Sequence, residues 1–226
     1  WVAGHSLGEY SALVAAGALD VATAARLVHN RGIYMQQAVP EGAGAMAAVL
    51  GLERAEIDNL CARCGSDLIV EVANVNAPGQ VVVSGNTEAV HQLIAMSKEA
   101  GARRAILLNV SAPFHCSLMQ PAAERLARDL VEVEFEDPRF PVVCNVTATS
   151  IATGEAARLA LEQQVTQPVL WSDTLEFLSE QGVEVFVEVG PGRVLSGLVK
   201  RTLGRGVGIY AVDEIEEIEA VLAALG

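Results

Sequence analysis

The chain has 226 residues, 51% of them apolar and 19% charged, with a mean hydropathy of +0.35. That is enough apolar material for a large core and excludes a disordered segment. Fifteen Lys+Arg against 28 Asp+Glu give a formal charge of −13, which argues against a general nucleic-acid binder. No apolar run approaches the roughly 18 residues needed to span a bilayer, and no leader opens the sequence, so a cytoplasmic protein with no membrane partner is expected. Four Cys in a chain of this length do not make a disulfide framework.

Trp1-Val2-Ala3 reads as the tail of a strand, followed by a tight turn and a helix to about Ala18. So short a strand implies that the chain begins inside an element and that sequence upstream is missing. Residues 20 to 38 continue as helix, with Val21, Ala25, Leu27, Val28 and Met35 on its apolar face. Pro40, Gly42 and Gly44 then break the pattern. Gly44–Gly51 predicts a strand and Glu53–Cys64 a helix with Ile57, Leu60, Cys61 and Cys64 along one stripe. Leu68–Asn74 and Gln80–Ser84 predict strands around the turn Asn76-Ala77-Pro78-Gly79. Thr87–Ala100 is a second helix and Arg104–Val110 a last strand. The order βαββαβ is the ferredoxin-like motif, so 42–110 is expected to be a compact insert.

The helix-and-strand alternation then resumes. Helices are expected over 120–131, 154–165, 172–181, 193–203 and at the end of the chain, with strands over 141–146, 183–189 and 208–212. Strands separated by helices imply an α/β fold with a mainly parallel sheet. The expected organisation is a discontinuous large subdomain, 1–41 and 111–226, carrying the small one at 42–110.

Gly4-His5-Ser6-Leu7-Gly8 fits G-x-S-x-G between a strand and a helix, the setting of an α/β-hydrolase-like nucleophile elbow. Both glycines are expected where the turn is too tight for side chains. Ser6 would be the nucleophile, and the Leu7 backbone N–H, at a helix start, an oxyanion donor. The pattern also fits an ordinary glycine-rich βα turn.

Of four His, His5 should point away from Ser6, while His29 and His91 read as surface residues. His115, in the Pro-bearing loop where the chain leaves the insert, is the candidate base. Cys61-Ala62-Arg63-Cys64 lacks a second Cys pair, so buried packing is expected there rather than a metal site. Gly190-Pro191-Gly192 before a helix is read as structural.

Five ordered segments resemble the malonyl-CoA:acyl carrier protein transacylase family: GHSLGEYSALVAAGAL, LVHNRGIYMQQAVPEGAGAMAAVLG, NVNAPGQVVVSG, VSAPFHCSLM and VEVGPGRVLSGLVKR. The resemblance implies a malonyl-serine intermediate on Ser6, formed from malonyl-CoA and passed to the phosphopantetheine thiol of acyl carrier protein in fatty acid biosynthesis. It implies His115 as general base, oriented by the backbone carbonyl at Gln164, and Arg31 as the partner of the malonyl carboxylate. A planar guanidinium suits that task. Malonyl-CoA is then a substrate, and no cofactor or metal is implied. Similar proteins supply a second oxyanion donor from an N-terminal Gly-Gln-Gly-like segment, which this sequence lacks.

Phe114 resembles the malonyl-selecting version of its loop, although a core Phe beside a pocket reads the same way. Asn76 and Gln80 are candidate pocket residues, though turn chemistry accounts equally for Asn76. Arg193, Lys200, Arg201 and Arg205 form a basic stretch with no acid among them. It reads either as a docking patch for an acidic carrier protein or as a solvated helix face. The rival activities are the acyltransferase module of a polyketide synthase and a serine thioesterase or hydrolase. The latter places its His late in the order Ser…Asp/Glu…His, and here His115 is the last His.

Overall fold

The computed structural model describes residues 1–65 and 67–225. The chain divides into two compact units, 1–174 and 175–226. No helix among the described residues is long and apolar enough to cross a membrane.

In the first unit, β1 (Val2–Ala3) leads through the Ser6 turn into α1 (Leu7–Ala15) and α2 (Val21–Gln37). Asp20 caps α2 by accepting a hydrogen bond from the Thr23 N–H at 3.0 Å. The buried stripe of α2 is Ala24, Leu27, Arg31 and Met35; Val21 and Ala25, expected to be inside, are exposed. The steps of three and four fit one helical face once a charged residue is allowed on it.

The segment from β2 (Gly44–Leu50) runs through α3 (Arg54–Arg63), β3 (Val70–Ala77), β4 (Gln80–Asn86), α4 (Thr87–Glu99) and β5 (Arg104–Leu107). A capping box between Glu53 and Glu56 starts α3. The strands form a sheet in the order β5-β2-β4-β3, all antiparallel. β8 (Val169–Leu170) extends it by pairing in parallel with β3 at Asn74 and Val75. β3 runs three residues further than expected. Asn76 lies within it and Ala77 pairs directly with Gln80, leaving Pro78-Gly79 as a two-residue hairpin turn.

Alternation along β2 places Ala45, Ala47 and Val49 in a core with α3 and α4 residues such as Ile57, Leu60, Val90 and Leu93. Met46 and Ala48 face the other way, where Met46, Ala73 and Val82 form a smaller cluster that Phe114 covers.

After this sheet come a short 3-10 turn at Ser117–Met119, α5 (Gln120–Val131), β6 (Val142–Val143), β7 (Ser150–Ile151) and α6 (Gly154–Gln164). β6 pairs in parallel with β1 and antiparallel with β7. The large core joins α1, α2, α5 and α6 through Leu13, Leu27, Leu126, Leu130 and Leu161. Helix α7 (Trp171–Glu180) contains the boundary between the units.

The second unit holds β9 (Val185–Val189), α8 (Val194–Leu203), β10 (Gly208–Val212) and α9 (Ile215–Leu225), with β9 and β10 parallel over five residues. The first unit thus carries two short parallel pairs, β1 with β6 and β3 with β8, and the second unit one, where a single mainly parallel sheet was expected. In the first unit Val2 and Ala3 offer only two residues to pair. The Glu188 carboxylate accepts from the Leu195 and Ser196 N–H groups at 2.9 and 2.7 Å. It satisfies the first turn of α8, consistent with a structural role for Gly190-Pro191-Gly192.

Candidate active site

The turn between β1 and α1 is strained and is held by hydrogen bonds. Ser6 has φ 52° and ψ −104°, a conformation costly for a residue with a Cβ. Its N–H donates to Asn145 Oδ1 at 2.7 Å, and Asn145 Nδ2 donates to the Gly4 carbonyl at 2.8 Å. One side chain therefore clamps both ends of the turn. A Cβ on Gly4 would lie 2.0 Å from the Gly8 carbonyl group, so no other residue fits there. Gly8 differs from expectation: a Cβ on it would meet nothing within 4 Å, so the tightness is one-sided.

His115 also has a left-handed backbone, φ 59°, in a loop whose Pro113 packs so closely on Gly44 that a Cβ there would clash at 2.3 Å. Its Nε2 is 2.8 Å from Ser6 Oγ and its Nδ1 is 2.8 Å from the Gln164 carbonyl oxygen. A carbonyl only accepts, so the proton sits on Nδ1, and Nε2 is free to accept from the serine. Burial, together with the nearby Arg31 charge, pushes the His115 pKa down to about 3, so the ring is neutral at physiological pH.

Arg31 is 7% exposed. Its Nη2 donates to Ser6 Oγ at 2.9 Å and to Gln164 Oε1 at 3.0 Å, and its guanidinium carbon lies 6.0 Å from the Tyr10 ring centre. The Gln164 Nε2 in turn donates to the Ser6 carbonyl at 3.0 Å and to Glu9 Oε2 at 2.7 Å. Glu9 is fully buried, and the same Oε2 accepts the Asn145 N–H at 3.1 Å. Desolvation raises its pKa to about 7 against the pull of those hydrogen bonds and of Arg31.

Ser6, His115, Arg31 and Gln164 are therefore brought into one hydrogen-bonded cluster. The Leu7 N–H, at the first position of α1, finds no hydrogen-bond acceptor among the described residues. Phe114 is half-buried and packs against both the large core and the cluster on the back of the sheet. His5 turns away from Ser6, with its Nε2 2.9 Å from Asn76 Oδ1 and its ring centre 5.5 Å from that of Trp171. Asn76 thus reaches the Ser6 turn through His5. Gln80 stays in the hairpin opposite Ala77 and Leu50, with no hydrogen bond from its side chain to the cluster among the described residues.

Glu9 and Asn145 were not singled out from sequence. Cys61 is half-buried and its thiol pKa is pushed up to about 12, while Cys64 is buried, so neither thiol is poised as a thiolate. In the second unit Arg193 pairs with Glu217 at 2.9 Å, which draws one charge from the expected basic stretch. Lys200, Arg201 and Arg205 are exposed.

A strained serine on a strand-to-helix turn, a neutral imidazole on its hydroxyl and a buried guanidinium beside both define a serine-based acyl-transfer centre. The acyl transferase domain family matches residues 1–222, and the chain belongs to that family. The chain is 49% identical over 224 residues to the malonyl CoA-acyl carrier protein transacylase of Escherichia coli K12, spanning 99% of this chain and 71% of that one. Among solved structures, the malonyl CoA-acyl carrier protein transacylase of Coxiella burnetii superposes with a TM-score of 0.96 at 44% identity, covering 99% of this chain and 70% of the other. A malonyl-transacylase solved in complex with its type II polyketide synthase acyl carrier protein gives a TM-score of 0.95 at 49% identity, with coverages of 98% and 72%.

Proposed function

We propose that this protein transfers the malonyl group of malonyl-CoA to the phosphopantetheine thiol of acyl carrier protein through a malonyl-Ser6 intermediate. The observation that carries the reading is the Ser6 Oγ with His115 Nε2 at 2.8 Å on one side and Arg31 Nη2 at 2.9 Å on the other. A hydrolase needs the first contact. A buried, permanently charged guanidinium against the nucleophile suits an acyl group that ends in a carboxylate.

In this mechanism His115 takes the Ser6 proton as Oγ attacks the thioester carbonyl, and returns it to the departing thiolate. The Leu7 N–H, backed by the positive end of α1, donates to the oxyanion. The Gln164 carbonyl fixes the imidazole, and Arg31 holds the malonyl carboxylate. The carrier thiol then attacks malonyl-Ser6 by the same steps reversed. A thioester is exchanged for an ester and back, so the scheme invokes no cofactor.

Within the proposal, the Ser6 turn is an α/β-hydrolase-like elbow, and 42–110 is a ferredoxin-like subdomain set into a large subdomain of 1–41 and 111–226. The antiparallel order β5-β2-β4-β3 supports the second assignment. Phe114 limits the pocket toward malonyl, and Lys200, Arg201 and Arg205 are the cations offered to an acidic carrier.

Intact-mass measurement after mixing with malonyl-CoA tests the reading. The protein should gain the mass of one malonyl group and lose it on adding carrier protein bearing its thiol. Ser6→Ala should gain nothing. Rapid loss of the adduct to water without an acceptor would favour the thioesterase reading instead.

A further inference from the structure

The site contains a second ionisable side chain that the proposed mechanism leaves unused. Glu9 is fully buried, and among the described residues only Oε2 is engaged, by the Gln164 and Asn145 donors, while Oε1 has no hydrogen-bond partner. Gln164 is the link, since its Nε2 donates to Glu9 while its Oε1 accepts from Arg31. The charged and titratable groups around Glu9 are few. Tyr10 lies on its own helix, Arg31 faces it from α2, and His115 lies beyond Gln164. Among the described residues, helix α6 and the loop after β6 present the neutral amides of Gln164 and Asn145 to it.

Charge balance in this dry cluster has a consequence. Before loading, the Arg31 cation and a Glu9 carboxylate sum to zero. A malonyl carboxylate on Arg31 would leave one uncompensated negative charge, which is expensive at low dielectric. We propose that Glu9 is a positioning residue for the carboxylate clamp: it balances Arg31 in the free enzyme and takes up one proton from solvent when a carboxylate-bearing acyl group is loaded on Ser6. The unpartnered Oε1 is where that proton goes, since Oε2 already accepts two hydrogen bonds. This rests on the malonyl-transfer reading. The transfer itself is proton-neutral, because the proton of the serine hydroxyl ends on the released thiol, so any net uptake belongs to a protein group. A Glu9 pKa already raised to about 7 places the change within reach of neutral pH.

The test mixes the protein with malonyl-CoA, or with acetyl-CoA, in weak buffer containing a pH indicator, and counts adduct by intact mass in the same samples. Malonyl loading should take up about half a proton per adduct at pH 7 and more at pH 8, and acetyl loading none. In Glu9→Gln, whose single amide oxygen can accept both hydrogen bonds, malonyl adduct should form without uptake. The KM for malonyl-CoA should rise with pH above 7 in the wild type and stay flat in Glu9→Gln, while kcat moves less. A malonyl adduct formed without uptake, or equal uptake in Glu9→Gln, overturns the proposal; the latter would assign the proton to His115. If Glu9→Gln fails to fold, the malonyl-against-acetyl comparison across pH in the wild type decides. Absence of any malonyl adduct in the wild type removes the transferase reading, and this proposal with it.

Discussion

Replacing Arg31 with Ala separates a carboxylate clamp from a merely structural arginine. Two charge-assisted hydrogen bonds to a malonyl carboxylate in a buried site are worth about 3–4 kcal/mol, so malonyl loading should fall about 10²–10³-fold. The same Nη2 also donates to Ser6 Oγ, and that bond serves every substrate. Its loss costs about 1–1.5 kcal/mol, or about tenfold, for acetyl and malonyl alike. Removing the charge also lets the His115 pKa rise, which makes it a stronger base and opposes that common loss. The common loss cancels in the ratio, so the net expectation is a drop in the malonyl-to-acetyl preference of about 10²–10³-fold, with acetyl loading within about tenfold of wild type. Quenched-flow mass spectrometry with the two thioesters, on protein shown to be folded by circular dichroism, measures both rates. Equal losses for malonyl and acetyl, or wild-type malonyl loading, would refute the clamp.

Two further expectations follow from the same geometry. Gly4→Ala should cost about 3 kcal/mol or more in thermal unfolding, because its Cβ would strike the Gly8 backbone, while Gly8→Ala should change stability by less than about 1 kcal/mol. The pH dependence of stability should report the buried pair. His115, with a pKa depressed to about 3 in the fold, makes the protein lose stability as pH falls from about 6.5 toward 3, by at most about 1.4 kcal/mol per pH unit. Glu9, raised to about 7, acts oppositely: its contribution is full below about 4.5 and is lost as pH rises through 7. His115→Asn should therefore flatten the acid-side decline in urea titrations at successive pH values, and an unchanged slope would contradict a buried neutral imidazole.

The parts of the site that were legible in sequence are those with local grammar. Ser6 sits in a five-residue pattern at a strand-to-helix change, and His115 stands in a Pro-bearing loop after β5. Arg31 was visible only through the likeness of its flanking residues. In the helical periodicity it is a charge on a stripe, and with Arg31 on the buried face the stripe runs through Ala24, Leu27 and Met35 while Val21 and Ala25 face outward. Asn145 and Glu9 had no local signal. Asn145 follows a two-residue strand and meets Ser6 across 139 positions, and Glu9 reads as an ordinary first-turn acid of α1. The end of β3 was set too early because Asn76 is a turn former by composition yet stays in the ladder, leaving Pro78-Gly79 to make the bend alone. Gln164 was expected to act through its carbonyl, and its side-chain role depends on α2, α1 and the elbow converging.

Gln164 is the last residue of α6, so its carbonyl is one of those a helix terminus leaves without an intrahelical donor. Pointed at His115 Nδ1, it brings the negative end of the α6 macrodipole, about half an elementary charge, to bear on the imidazole. That is the task an aspartate performs in a Ser-His-Asp triad. A peptide oxygen cannot be protonated in the working range of pH and carries no full charge to desolvate. The tautomer of the His115 imidazole is thereby locked by a main-chain oxygen, and acid that protonates the carboxylate of a Ser-His-Asp triad has no equivalent target in that contact.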